Sequence, residues 1–359
     1  MTGLFSRLRP VGGWLARPLK PWRTAPRVRR LLVNASICLL PLSMANPLQA
    51  ACTGTDLRQT ASPELLREVH DELVRTPYAK GLSWIATKDE RRLRIIGTMH
   101  LNNPRHDALV AHMTPAIEHA DAVLLEVNRE DKARLNRALS ETPSMVFITD
   151  GPTLIDRLPQ EDWQHIAAQA SAAGIPPFMA AKMRPWILSL SLSVPQCART
   201  IKDVTDGLDA KLMQVAEAAD VPTLSLEDPL RLFQMLDAAP LEEQVEELRS
   251  YIAMMGVGPD DFYTMVESYF DGEVQEYTLL QLKQFLTAEG EVPLAERQAQ
   301  LDELLETLLY QRNRDWIPVI EATEGAQLVI AIGAAHLPGD QGVLALLEAE
   351  GYQIERAPL

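Results

Sequence analysis

Leu93-Arg94-Ile95-Ile96-Gly97-Thr98-Met99-His100 and Leu328-Val329-Ile330-Ala331-Ile332-Gly333-Ala334-Ala335-His336 decide the fold. Each is a short, nearly continuous apolar run that stops at glycine and is followed, three residues on, by histidine. Runs of this kind suit strands buried on both faces, as in a parallel sheet covered by helices. Two further runs, Ala122–Val127 and Pro222–Leu226, have the same character. Helical patterns separate them at about Arg105–His119, Gln160–Ala173 and Thr205–Ala219, and a long block from Pro229 to about Glu321 carries no strand pattern. The expected class is α/β: a central, mostly parallel or mixed sheet flanked by helices, with a helical insertion over residues 229–321. Within that block Leu241, Val245, Leu248, Ile252 and Met255 step by three and four, as do Leu301, Leu304, Leu305, Leu308 and Leu309. The spacing predicts two amphipathic helices packed on each other and on the sheet.

The 359-residue chain has 34 basic and 49 acidic side chains and 47% hydrophobic residues, enough to bury a large core. Its charges are unevenly spread. Met1–Ala51 holds seven Arg, one Lys and no acid, whereas Cys52–Leu359 keeps 26 basic groups against 49 acidic ones. That acidic balance excludes a nucleic-acid backbone as partner. The mostly apolar run Leu31–Ala45 follows Arg27, Arg29 and Arg30 and precedes the small residues Ala50 and Ala51. This is the layout of a secretory signal, cleaved near residues 50–52, too short for a ~30 Å hydrocarbon core and interrupted by Asn34 and Pro41.

Residues 1–51 are thus expected to direct export, to the periplasm or the outside, and residues 52–359 to form one domain. The alternatives are an uncleaved membrane anchor, an organellar transit peptide, or a lipid on Cys52, although Gln49 stands where lipidation sites prefer an aliphatic residue. With Cys38 removed in the leader, Cys52 and Cys197 remain, and an oxidising compartment favours a disulfide between them over two free thiols.

No G-x-S-x-G elbow, H-E-x-x-H helix, P-loop, G-x-G-x-x-G turn or calcium loop occurs. The chemistry therefore falls to the strand ends, because ligands of open α/β sheets bind beyond the carboxyl ends of the strands. His100 and His336 can converge there. Glu126 lies within the apolar run Ala122–Val127, where a carboxylate is costly unless a cation or donors meet it. Two His and one Glu from three strand ends suit a divalent ion such as zinc, manganese, cobalt or iron, with positions left open for water and substrate. The plainer reading is a pair of structural histidines and a structural ion pair.

Arg312 continues the stripe Leu305, Leu308, Leu309 and leads to Trp316, so a guanidinium is expected on a buried helix face, with Asn313 beside it. It either pairs with Glu126 or stabilises an oxyanion on the substrate. Glu227 follows the run Pro222–Leu226 and can face the same crevice, in a supporting role with Asn313. Asp206 and Asp209 are read as capping a helix start, and His106, His112, His119 and His165 as surface or capping residues.

Taken together, these pieces resemble the TraB/GumN family, which is similar in turn to the Tiki proteins and, more distantly, to the erythromycin-esterase and ChaN group. The resemblance rests on Ile96-Gly97-Thr98-Met99-His100-Leu101, Val123-Leu124-Leu125-Glu126, Met183-Arg184-Pro185-Trp186, Gly207-Leu208-Asp209, Leu226-Glu227, Arg312-Asn313 with Trp316, and Gly333-Ala334-Ala335-His336-Leu337-Pro338-Gly339 with Gly342. Tiki proteins are metal-dependent proteases. The resemblance therefore implies a metal-dependent hydrolase, a peptidase acting on a peptide or protein substrate. It implies His100, His336 and Glu126 as the metal site, with Glu126 as ligand or general base, and Arg312 as the family arginine. The distant likeness to ChaN implies the alternative of a non-catalytic periplasmic protein that binds a metal, haem or a small anion in the same crevice.

Overall fold

Six strands build one sheet: β1 Ser83–Lys88, β2 Arg91–Thr98, β3 Ala122–Leu125, β4 Thr223–Ser225, β5 Gln327–Gly333 and β6 Gln353–Arg356, in the order β4-β3-β5-β2-β1-β6. These come from a computed structural model, which describes residues 52–194, 196–199, 206–254, 258–287 and 293–359. The leader with Cys38, the expected helix start at Thr205, the Ile252 side chain and Met255 lie outside the described residues. The four strands β4, β3, β5 and β2 run parallel, and β1 pairs antiparallel with both β2 and β6. The sheet is therefore mixed, as the α/β reading allowed.

Strands β1 and β6 have no counterpart in the sequence reading. The β1–β2 pair is a hairpin whose two-residue turn places Asp89 at φ 53°, a left-handed conformation that Asp tolerates. In β6 only Ile354 is apolar among Gln353, Glu355 and Arg356, so no apolar run marks it.

Alternation along the parallel strands explains their continuous hydrophobicity. Leu328, Ile330 and Ile332 of β5, with Leu93 and Ile95 of β2 and Leu124 of β3, face a cluster closed by Trp316, Ile317 and Ile320 and by Val343, Leu344 and Leu347. Val329 and Ala331 of β5, Ile96 of β2 and Val123 and Leu125 of β3 face the opposite cluster, closed by Met113 and Ile117, by Leu208 and Leu212, and by Phe262, Val266 and Tyr269. Each fully buried Leu, Ile or Val contributes about 1.5–3 kcal/mol, which two-sided burial doubles up along a strand only a few residues long.

The long helical block divides its labour. Helices Pro259–Phe270 and Gln311–Ala322 cover the two sheet faces. Helix Leu241–Met254 departs from expectation: Val245 and Leu248 are buried away from the sheet, with Ile148, Leu154, Ile166 and Leu188. Helix Leu294–Leu305 runs into a five-residue π-turn, Glu306–Tyr310, and only then into Gln311–Ala322. Cys52 and Cys197 form a disulfide across 145 residues of chain, so this sulfur is not available to a lipid in the same molecule. Among the described residues no helix is long and apolar enough to cross a membrane.

Candidate functional site

Parallel pairing sets the two Gly-x-x-His segments side by side. Gly97 of β2 lies opposite Ile332 and Thr98 opposite Gly333, so the two chains leave the sheet at one level. On the other side of β5, Leu125 pairs with Ala331, which brings Glu126 to the same level one residue past the end of β3, not inside the strand. Leu226 N donates to Leu125 O, placing Glu227 beside Glu126. His100, Glu126, Glu227 and His336 therefore meet at the carboxyl ends of four parallel strands, the place such sheets use for ligands.

Two glycines, Gly333 and Gly207, let these residues approach closely. A Cβ on Gly333 would stand 3.0 Å from Glu126 Oε1, 3.4 Å from His336 Cδ2 and 3.7 Å from His100 Nε2. A Cβ on Gly207 would stand 2.3 Å from Met99 O and 2.4 Å from His100 C. Gly207 is the N-cap of helix Leu208–Ala218, and Leu208 N donates to Met99 O, so that helix start is pressed against the backbone carrying His100.

Arg312 is the hub. Its Nε and Nη2 donate to the two oxygens of Glu227 at 2.8 and 2.7 Å, and Nη2 also donates to Glu126 Oε2 at 2.8 Å. Nη1 donates to Leu308 O at 2.8 Å and faces His336 Nε2 at 3.2 Å. Leu308 belongs to the π-turn, whose widened backbone offers that carbonyl to the guanidinium. All five N–H groups of the guanidinium are engaged. The expected pairing with Glu126 is present; the oxyanion role is not open to Arg312 in this arrangement, since no donor is left over. Glu126 Oε1 accepts from Gly333 N at 2.6 Å. Burial opposes ionisation of Glu126, but His100, His336, Arg312 and the Gly333 N–H outweigh it and pull its pKa down to about 2.

The two histidines turn Nε2 toward the same carboxylate oxygen. Glu126 Oε1 is 3.7 Å from His100 Nε2 and 4.0 Å from His336 Nε2. Behind His336, Nδ1 lies 2.6 Å from Asn313 Oδ1, while Asn313 Nδ2 donates to Gln341 O at 2.8 Å. That chain assigns the proton of His336 to Nδ1 and leaves Nε2 as the acceptor. Burial first, then Arg312 and His100, push its pKa down to about 3, so it is neutral. Behind His100, Nδ1 lies 3.1 Å from Asp209 Oδ1. Here burial is overcome by Asp209 and Glu126, and the pKa rises to about 9.

Asp209 is thus more than a helix-capping acid, which the sequence reading made of it; the neighbouring Gly207 was the available signal. His106 also departs from the surface reading: it is fully buried beside Tyr269 and Phe270. His112, His119 and His165 are exposed as expected. Asn128 is the N-cap of helix Arg129–Glu141 and donates to Thr223 O, holding β3 to β4.

The donors suit a divalent ion in kind and in orientation: two imidazoles with an oxygen fixed behind each Nδ1, and one carboxylate, gathered within 4 Å of where a Cβ on Gly333 would stand. Their spacing is a few tenths of an ångström wider than the ~3.4 Å between donors that share one tetrahedral ion. Among the described residues no set of three His, Cys, Asp or Glu is close enough to hold one as it stands.

A model of the TraB/PrgY/gumN family matches residues 82–356, from just before β1 to the end of β6. The chain is also 22% identical over 261 residues to the uncharacterized protein YbaP of Escherichia coli (strain K12), covering 71% of this chain and 88% of YbaP. The YbaP of Shigella flexneri matches to the same extent.

Proposed function

The chain belongs to the TraB/PrgY/gumN family, and on that premise we propose an exported hydrolase that acts on peptides at the crevice formed by His100, Glu126 and His336. The observation that carries this reading is the shared target of the two imidazoles, each with its outer nitrogen occupied and its Nε2 turned to Glu126 Oε1. His100, His336 and Glu126 would hold a zinc, manganese or cobalt ion, which when bound lowers the pKa of water and polarises a carbonyl.

The protein's own groups have distinct tasks. Glu126, kept ionised by Arg312 and the Gly333 N–H, takes a proton from the attacking water. Arg312 holds Glu126 and Glu227 in place and carries the balancing charge. Asn313 and Asp209 fix the rings of His336 and His100. The N–H that faces His336 Nε2 is the one Arg312 must give up before that nitrogen can take a ligand.

Purified chain lacking residues 1–51 is expected to bind close to one divalent ion and to cleave members of a peptide library. Glu126→Gln should lower turnover by roughly 10²–10⁴-fold. Unchanged cleavage in both His100→Ala and His336→Ala would refute the assignment of the site. Export predicts a mature N-terminus near residues 50–52, read by N-terminal sequencing of protein recovered outside the cytoplasm.

A further inference from the structure

Trp186 sits in helix Pro185–Leu192, in the segment Met183-Arg184-Pro185-Trp186 that the site has not used. Two residues on, Leu188 is fully buried in the cluster with Ile148, Leu154 and Val245. Positions two apart point to nearly opposite sides of a helix, so Trp186 turns away from that cluster. Its ring lies edge-on to Phe233, 5.2 Å between centroids, and the residue is only 9% exposed. The indole Nε1–H is buried and meets no acceptor among the described residues. A buried donor without a partner costs about 1–3 kcal/mol, a debt that an incoming oxygen removes.

Phe233 places this corner beside the site. Helix Pro229–Leu236 begins two residues after Glu227, and Phe233 is six residues along, within ~10 Å by helical rise. The helix is tied on every side. Arg231 pairs with Asp315 at 3.0 Å, on the helix that carries Arg312. Its N-cap Asp228 pairs with Arg134 at 3.1 Å, on the helix that follows Glu126. Its C-cap Asp237 pairs with Arg184, adjacent to Pro185-Trp186. Despite these ties, Leu230, Phe233 and Leu236, which share one face, are only half-buried.

We propose that this corner is a substrate subsite: Trp186 Nε1–H donates to a backbone carbonyl oxygen of an uncharged peptide segment, and a bulky apolar side chain of that segment lies against Phe233, Leu230 and Leu236. The proposal rests on the peptide reading of the crevice and names the kind of residue it accepts.

The test uses the mature chain with its indole nitrogens labelled with ¹⁵N and two small probes, N-acetyl-leucine methylamide and N-acetyl-glycine methylamide. The Trp186 signal, identified by its loss in Trp186→Phe, should shift saturably with the leucine probe and far less with the glycine probe. Affinity for the leucine probe should fall about tenfold in Trp186→Phe, the worth of one hydrogen bond, and should also fall in Phe233→Ala. A Trp186 signal that neither probe moves, or one in contact with a retained water throughout, overturns the subsite, and so does an equal response to both probes. Binding is read without turnover, so the two readings separate: a saturable indole shift in a chain that cleaves nothing keeps the subsite and sinks the peptidase, and cleavage with a silent indole does the reverse.

Discussion

His100 and His336 end the same four-residue pattern and leave adjacent strands at the same level, yet they sit in opposite electrostatic settings. His336 is 4% exposed, with a neutral amide behind Nδ1 and a guanidinium before Nε2. The side chain of His100 is 58% exposed, with a carboxylate behind Nδ1 and another before Nε2. One ring is held neutral and the other holds its proton to about pH 9. Short patterns therefore state where a side chain will be, and the chain's distant segments state what charge it will carry.

Removing the guanidinium tests this division most severely. Arg312→Met leaves Glu227 without its cation and Glu126 facing only the protonated His100, with an expected loss of about 3–5 kcal/mol in urea unfolding. Glu227→Met added to it should recover part of that loss. Equal instability of the single and double variants would break the account of Arg312 as the shared counter-ion.

Next in size is the disulfide, which anchors the segment Gln196–Arg199 ahead of the helix that brings Asp209 to His100. Cys197→Ser should cost roughly 2–4 kcal/mol. Its NMR shifts should gather around His100 and leave His336 and Asn313 unmoved. Gly333→Ala, by contrast, should disturb both rings through Glu126, at about 1–3 kcal/mol.

The pH dependence is the most diagnostic. In the metal-free protein His100 binds its proton more firmly folded, at about 9, than unfolded, at 6.5, so its contribution is complete below pH 6.5 and fades as pH rises through 9. His336, at about 3 folded against 6.5 unfolded, contributes fully above pH 6.5 and fades as pH falls toward 3. The buried His106, at about 4, acts in the same direction as His336. Stability should fall on both sides of about pH 6.5. Asp209→Asn should flatten mainly the alkaline limb, because Asp209 bonds His100 directly and reaches the acid limb only through its weaker field at His106. Loss of the acid limb in that variant would contradict the separation of the two rings.

The parallel strands, the two histidines, Glu126 and the buried Arg312 were legible because each breaks or completes a local pattern: apolar runs stopped by glycine, one carboxylate against an apolar run, one guanidinium on a leucine stripe. What escaped was set by partners far along the chain. Asp209 looks like any acid in a first helical turn until Gly207 seats that turn on Met99 and His100. The full engagement of Arg312 depends on Leu308 O, which no side-chain pattern encodes and which the π-turn presents. His106 lacks any local mark of burial; Tyr269 and Phe270 arrive from more than 160 residues away to cover it.

Strand β5 stands at the centre of the sheet but follows the other three parallel strands in sequence. Strands β2 and β3 have no direct pairing to each other and wait for residues 327–333 to come between them. A nascent chain thus has no workable prefix: before those residues emerge there is no central strand, no Gly333 amide for Glu126 and no second imidazole. Premature stops before this strand should yield proteolysed fragments rather than a weakened protein, and synthesis must pass His336 before the crevice exists at all.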